Sequence, residues 1–287
     1  MVWHGDFWRG SAGLWAVKKL SPLLQSPLFA PLHRVLEKIQ HKEFPSLAEC
    51  NALLQKQHPT ILTHTGKLLQ FVAQQAGKLP FEAQYEPRCY LKGEVQMRAN
   101  NNHDLFNALV WLTFPRTKAA LNARHYHALL AAQTLSNKNE RGALRDANTL
   151  LDESGVIVVT ADENLTHLLR DFQWKKLFWQ QREQVKTAMG FYIFGHGLYE
   201  KSVQPYVGIT GQGLVLNVEA EFFTWPLSAQ LIHIDSTLAA QLATSDFCTT
   251  TRELTPVPLL GIPGWSAENE REDYYENTAY FRAGRRG

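Results

Sequence analysis

Two short stretches carry side chains that could do chemistry. Residues 101–115 read NNHDLFNALVWLTFP, an apolar run broken by His103, Asp104 and Asn107. At helical spacing His103, Asn107 and Trp111 share one face. Polar groups drawn into an apolar setting need partners, so this helix marks a site. The second stretch, Gly195-His196-Gly197-Leu198-Tyr199-Glu200, follows a strand-like run. Ligands collect beyond the carboxyl ends of strands in open α/β sheets, which suits His196. Glu200 stands one helical turn later and could orient the imidazole or share a metal. His103, Asp104, His196 and Glu200 are therefore the candidates for acid–base work or metal ligation, because an imidazole beside a carboxylate serves either. Both motifs also read without chemistry. Asp104 suits the positive end of a helix capped by Asn101 or Asn102, and His196 could bond within its own helix.

Asp152-Glu153-Ser154-Gly155 sets two carboxylates at a helix C-terminus, where the dipole disfavours them. A cation, Arg98 or Arg145 is expected to compensate; a solvated helix end is the plain alternative. Arg141 and Arg145 are one turn apart and could face one anion, with Asp146 alongside. Ordinary surface ion pairing would explain them equally. Lys118, Asn122 and His125 line one face of the helix after Pro115. If that face meets the His103 helix, Arg98 and Lys118 make an electropositive pocket. The substrate-binding set is thus Arg98, Asn107, Lys118, Asn122 and Arg145. The metal candidates are His103, Asp104, Asp146, Asp152, Glu153 and His196, a donor set that favours zinc, manganese or iron over calcium. His125 and His127 point in different directions on a helix and are not expected to share a metal. There is no G-x-S-x-G elbow, P-loop, GxGxxG or HExxH, so serine nucleophiles and dinucleotide binding have no support.

The elements that must position these groups alternate between helix and strand. Ser46-Leu47-Ala48-Glu49 is a capping box that opens a helix through about Gln55. Lys67 to Ala73 is ambiguous and could be a strand, and Gly93 closes a short helix. Helices are expected over about His103–Phe114, Thr117–Leu135 and Arg141–Glu153, with Pro115 separating the first two and Gly155 ending the third. A turn is expected at Asn137–Asn139. Val156 to Thr160 is the clearest strand. A helix over Asp162–Val185 and a strand over Met189–Phe194 complete a βαβ-like order. Leu214–Val218 reads as a third strand and Leu227–Leu242 as a helix. The fold class expected is α/β or α+β, helix-rich with a small mixed sheet. One domain over 1–287 is expected, with an N-terminal arm of about 25 residues. From Thr255 onward Pro and Gly punctuate an extended tail. Its Trp265, Tyr274, Tyr275 and Phe281 should dock back on the body.

Composition narrows the partners. With 287 residues, 45% of them hydrophobic, the chain can bury a sizeable core. The formal charge of +2 gives no nucleic-acid signal. Cys50, Cys89 and Cys248 are far apart and odd in number, which argues against a disulfide framework. No run approaches a membrane span and the start is not a signal peptide, so a cytoplasmic protein without membrane contact is expected.

Several ordered blocks carry a resemblance. They are HDLFNALVWLTFP with Lys118 and Asn122, RDANTLLDESG, FGHGLYEK with Pro205-Tyr206, and GIPGW followed by YYENTAYFR. Together they resemble the uncharacterised bacterial family called domain of unknown function 3025. Gln96-Met97-Arg98 stands where the family pattern has Pro-Thr-Arg; Arg98 is kept. The resemblance implies a bacterial protein with this polar set and supplies no activity. The residues themselves suggest a hydrolase or transferase acting on a small anionic substrate, with a divalent metal assisting. The alternative is a non-catalytic binding or scaffold protein whose polar groups form a buried structural network. The two differ in whether His103, Asp104, Arg145 and His196 share an open cleft.

Overall fold

Ser46 begins a helix as its capping box requires: Glu49 gives its N–H to Ser46 Oγ at 3.3 Å and takes the Ser46 N–H at 2.8 Å. The computed structural model describes residues 20–39, 44–134 and 139–284, with side chains left aside at 133–134 and 139–141. The expected N-terminal arm up to residue 19, positions 137–138 of the expected turn, the Arg141 side chain and the last three residues lie outside it, and Asn139 belongs to a helix rather than to that turn.

Ten α-helices are described: α1 His33–Leu36, α2 Leu47–Gln55, α3 Tyr85–Lys92, α4 Asn102–Thr113, α5 Pro115–Thr134, α6 Asn139–Ser154, α7 Glu163–Arg170, α8 Arg182–Ala188, α9 His196–Ser202 and α10 Leu227–Leu242. Six strands join them: β1 Gln70–Ala73, β2 Glu94–Met97, β3 Gly155–Thr160, β4 Met189–Ile193, β5 Thr210–Asn217 and β6 Thr255–Pro258. β1 and β2 form a parallel pair, and the other four form a mixed sheet in the order β4-β3-β5-β6. The architecture is therefore helix-rich and mixed α/β. Among the described residues no helix is long and apolar enough to cross a membrane.

β3 is the centre of the sheet because every residue of its Gly-Val-Ile-Val-Val-Thr run is buried, the pattern of a strand covered on both faces. The βαβ expectation needs correction. β4 returns antiparallel to β3, and the parallel partner is β5. The reversal follows from α8, whose last residue bonds Ala161 just beyond β3 and so feeds β4 in from that end.

The single helix expected over Asp162–Val185 is broken as well. Phe172 adopts a left-handed backbone (φ 58°), a π-turn occupies Lys176–Gln180, and α8 restarts at Arg182. Gly93, at φ 77°, ends α3 in the left-handed cap that favours glycine, and β2 leaves directly from it.

The last strand, β6, carries Pro256 and Pro258 on the sheet edge, where the missing N–H groups are tolerated. Beyond it the tail is a series of short 3-10 turns lying on the core. Tyr275, Tyr280 and Phe281 are buried and Trp265 is partly so. The Tyr280 hydroxyl donates to the Ile209 carbonyl at 2.8 Å, and the Trp174 indole donates to the Arg282 carbonyl at 2.7 Å.

For the site, one packing relation matters most. α9 lies against both α4 and α6, and α5 packs on α4 and α6. The start of α4, the end of α6 and the start of α9 therefore meet.

Candidate functional site

At that meeting point three ligand-type atoms converge. His103 Nε2 lies 2.9 Å from His196 Nε2, and each lies 3.6 Å from Glu153 Oε1. These three residues form the cluster that could hold a metal ion. Each imidazole has a carboxylate behind it. His103 Nδ1 meets Glu200 Oε2 at 3.2 Å, and His196 Nδ1 faces Asp152 Oδ2 at 3.7 Å. The Glu200 carboxylate on the far nitrogen of His103 favours the tautomer that leaves its Nε2 as a lone pair, while His196 Nδ1 makes no hydrogen bond among the described residues. With the His196 proton on Nδ1 as well, three acceptors point at one place, which calls for a shared proton or a cation between them.

The local sequence explains the approach. His196 is the first residue of α9 and is 5% exposed. Gly197 follows because a Cβ there would collide with Glu153 Oε2. Glu153 sits at the end of α6, where an unpaired carboxylate is disfavoured by the dipole. The two imidazoles and the side chain of Lys118 surround this end. Lys118 Nζ meets Asp152 Oδ1 at 2.5 Å and lies 5.6 Å from the centre of the Trp111 ring.

The electrostatics follow from this arrangement. Burial pushes the His196 imidazole down to about 3, so it is neutral across the ordinary pH range. The hydrogen bond that His103 donates to Glu200 raises the His103 imidazole, against its partial burial. Burial alone would raise Asp152, but the Lys118 ammonium overrides it and holds the carboxyl at about 2. Burial raises Glu153, with His103 opposing.

The cluster opens into a cleft of about 610 Å³. Arg98, His103, Asp104, Asn107 and His196 line it, as do Asp152 and Glu153. The remaining candidates are placed differently. Glu200 stands behind His103. Lys118 and Asn122 are buried, the latter giving its amide to Glu86. Asp104 accepts from the Arg98 backbone N–H, Nε and Nη2 at 2.7–2.8 Å, so its carboxylate anchors the start of α4. Arg145 and Asp146 are exposed on α6 and do not line the cleft.

The expected electropositive pocket is therefore not what forms. Lys118 is neutralised by Asp152, Arg98 is paired with Asp104, and Arg145 is exposed about two helical turns back along α6 from Asp152, too far along the axis to line the cleft. Tyr85 and Glu86 line the cleft and escaped the sequence reading. Glu86, in the first turn of α3, looks in sequence like an ordinary acidic helix start. Burial raises its carboxyl, with His125 opposing.

Among known proteins, the model of one family, described as a protein of unknown function (DUF3025), matches residues 69–285. That span holds His103, Glu153 and His196 together with the whole cleft lining. No curated protein and no solved structure matches the chain.

Proposed function

This chain belongs to the DUF3025 family, and from its site we propose a metal-dependent hydrolase or transferase acting on a small anionic substrate. One observation carries the reading: His103 Nε2, His196 Nε2 and Glu153 Oε1 converge within ligand reach at the wall of an open cleft. Two imidazoles and a carboxylate suit zinc, manganese or iron. Three protein ligands leave a position for water or substrate, the pattern of catalytic rather than structural sites. A divalent ion so placed supplies a Lewis acid and a water of lowered pKa.

The protein's own groups have distinct parts. Glu200 orients the His103 ring, and Asp152 sets a negative charge beside His196. Lys118 keeps Asp152 ionised. Arg98, held in place by Asp104 yet half exposed, presents its remaining edge to an anion. A second reading keeps the cluster structural, with protonated His103 donating Nε2–H to His196. The exposure of Glu153 (42% of its side chain) tells against a sealed network.

Metal analysis of protein purified without chelator tests the choice, together with melting curves over added zinc, manganese and iron. One equivalent of metal is expected, with a rise in melting temperature from native-state binding. His103→Ala and His196→Ala should both lose it, and Arg145→Ala should not. Absence of binding by all three ions would leave the structural network.

A further inference from the structure

The cleft has a second polar surface that the metal reading leaves unused. Asn107, only 6% exposed, gives its amide N–H to the Tyr85 hydroxyl at 2.6 Å, while its Oδ1 has no hydrogen-bond partner among the described residues. Beside Tyr85, the Glu86 carboxylate receives the Asn122 amide at 2.5 Å and, among the described residues, no ion pair. The Lys118 ammonium is bound to Asp152, and His125, whose charge favours the Glu86 carboxylate, makes no ion pair with it among the described residues. Buried acceptors and carboxylates are normally partnered, and an acidic group left without a cation in a cleft wall is suited to a cationic ligand.

The layout gives this surface a direction. Arg98 precedes α4 and is half exposed, whereas Asn107 lies one turn beyond His103 along α4 and is buried. The cleft thus runs from Arg98, past the His103–Glu153–His196 cluster, to the acceptors of Glu86 and Asn107. If the Asn107 amide were turned over, Tyr85 would donate to its Oδ1 and the lone acceptor of that pair would be filled. Glu86 would still ask for a cation.

We propose that the substrate carries an amino group as well as its anionic group. The ammonium donates to Glu86 and Asn107 Oδ1, and the anion meets the metal centre and Arg98. The substrate class is then small amino-bearing anions, such as aminoalkyl phosphates or amino-acid derivatives. This inference rests on the metal and anion reading of the same cleft and adds which molecules it admits.

A matched pair of stable probes tests it: 2-aminoethylphosphonate and ethylphosphonate, titrated calorimetrically into the zinc-loaded protein. The amino compound is expected to bind about ten-fold tighter or better, the size of one charge-assisted hydrogen bond. Glu86→Gln and Asn107→Leu should each shrink that preference while ethylphosphonate and zinc bind as before. Glu86→Gln changes little volume and covers the case in which Asn107→Leu fails to fold. Equal affinities in the wild-type protein would overturn the inference and leave the metal and anion reading standing. A preference that persists in Glu86→Gln would also overturn it. If zinc binds but neither phosphonate does, the anion reading falls and takes this inference with it.

Discussion

The imidazole of His196 is held neutral by burial, at about 3, against about 6.5 in an unfolded chain. A folded value below the unfolded one means that the stability gained is fully present above about pH 6.5 and is lost as pH falls toward about 3. His103 works the other way. Its value is raised by Glu200, so its contribution is present below about pH 6.5 and fades as pH rises through the raised value. The larger displacement belongs to His196, so metal-free protein should melt at progressively lower temperature between about pH 6.5 and pH 4. His196→Asn should flatten that slope. Circular dichroism melts across the range check it, and an unchanged slope in the variant would put the acid sensitivity elsewhere. Metal binding should weaken over the same range, since protons compete for His103. The types of His103, Glu153 and His196 were readable in the sequence as ligand-like. Their pairing was not, because the contacts join α4, α6 and α9, and nothing local encodes which helices touch. Arg145 illustrates the limit: its spacing to Arg141 looked purposeful, yet its place about two turns back along α6 leaves it outside the cleft.

At the level of elements, Gly197 shows how a small residue positions a large one. Its absent Cβ leaves the space that the Glu153 carboxylate fills. Gly197→Ala should improve intrinsic helix propensity by up to about 1 kcal/mol, yet drive Glu153 away from the two imidazoles. We expect little change in melting temperature without metal and a loss of about ten-fold or more in metal affinity, the scale of disturbed ligand positioning. Competition against a colorimetric chelator measures it; unchanged affinity would show that Glu153 does not bind the ion. Elements with strong end signals were legible: the Ser46 box, the Pro115 break and Gly93 follow local chemistry, whereas Gly155 ends α6 without a left-handed turn, its missing Cβ leaving room for the Leu151 carbonyl, and α10 keeps its expected bounds without a side-chain cap. The break at Phe172 was not, because its left-handed backbone belongs to a residue that rarely takes one. β2 and β6 are short and gain their definition from partners distant in sequence.

For the whole molecule, the tail is a structural layer. Tyr275 donates to the Gly261 carbonyl at 2.9 Å, and Asn269, fully buried, donates to the carbonyls of Leu260 and Ile262. Phe281 packs among Tyr274, Tyr275 and Tyr280. Phe281→Ala should cost about 3–5 kcal/mol, as for other buried aromatic truncations, and deleting residues 256–287 should cost more. Urea unfolding measures both. Rapid proteolysis near Gly264 with an unaltered melting temperature would instead mark a detachable arm.

β6 also has a consequence for the order in which the protein can be made. β5 is flanked by β3 on one side and by β6 on the other, and β6 lies some forty residues further along the chain. On the ribosome, β5 therefore emerges with one row of backbone N–H and C=O groups open, and stays so until residues 255–258 follow. An open strand edge is a template for neighbouring chains. Synthesis that stalls in this interval would release a species prone to self-association. Timely arrival of the final segment is thus a chaperoning act performed by the chain upon itself.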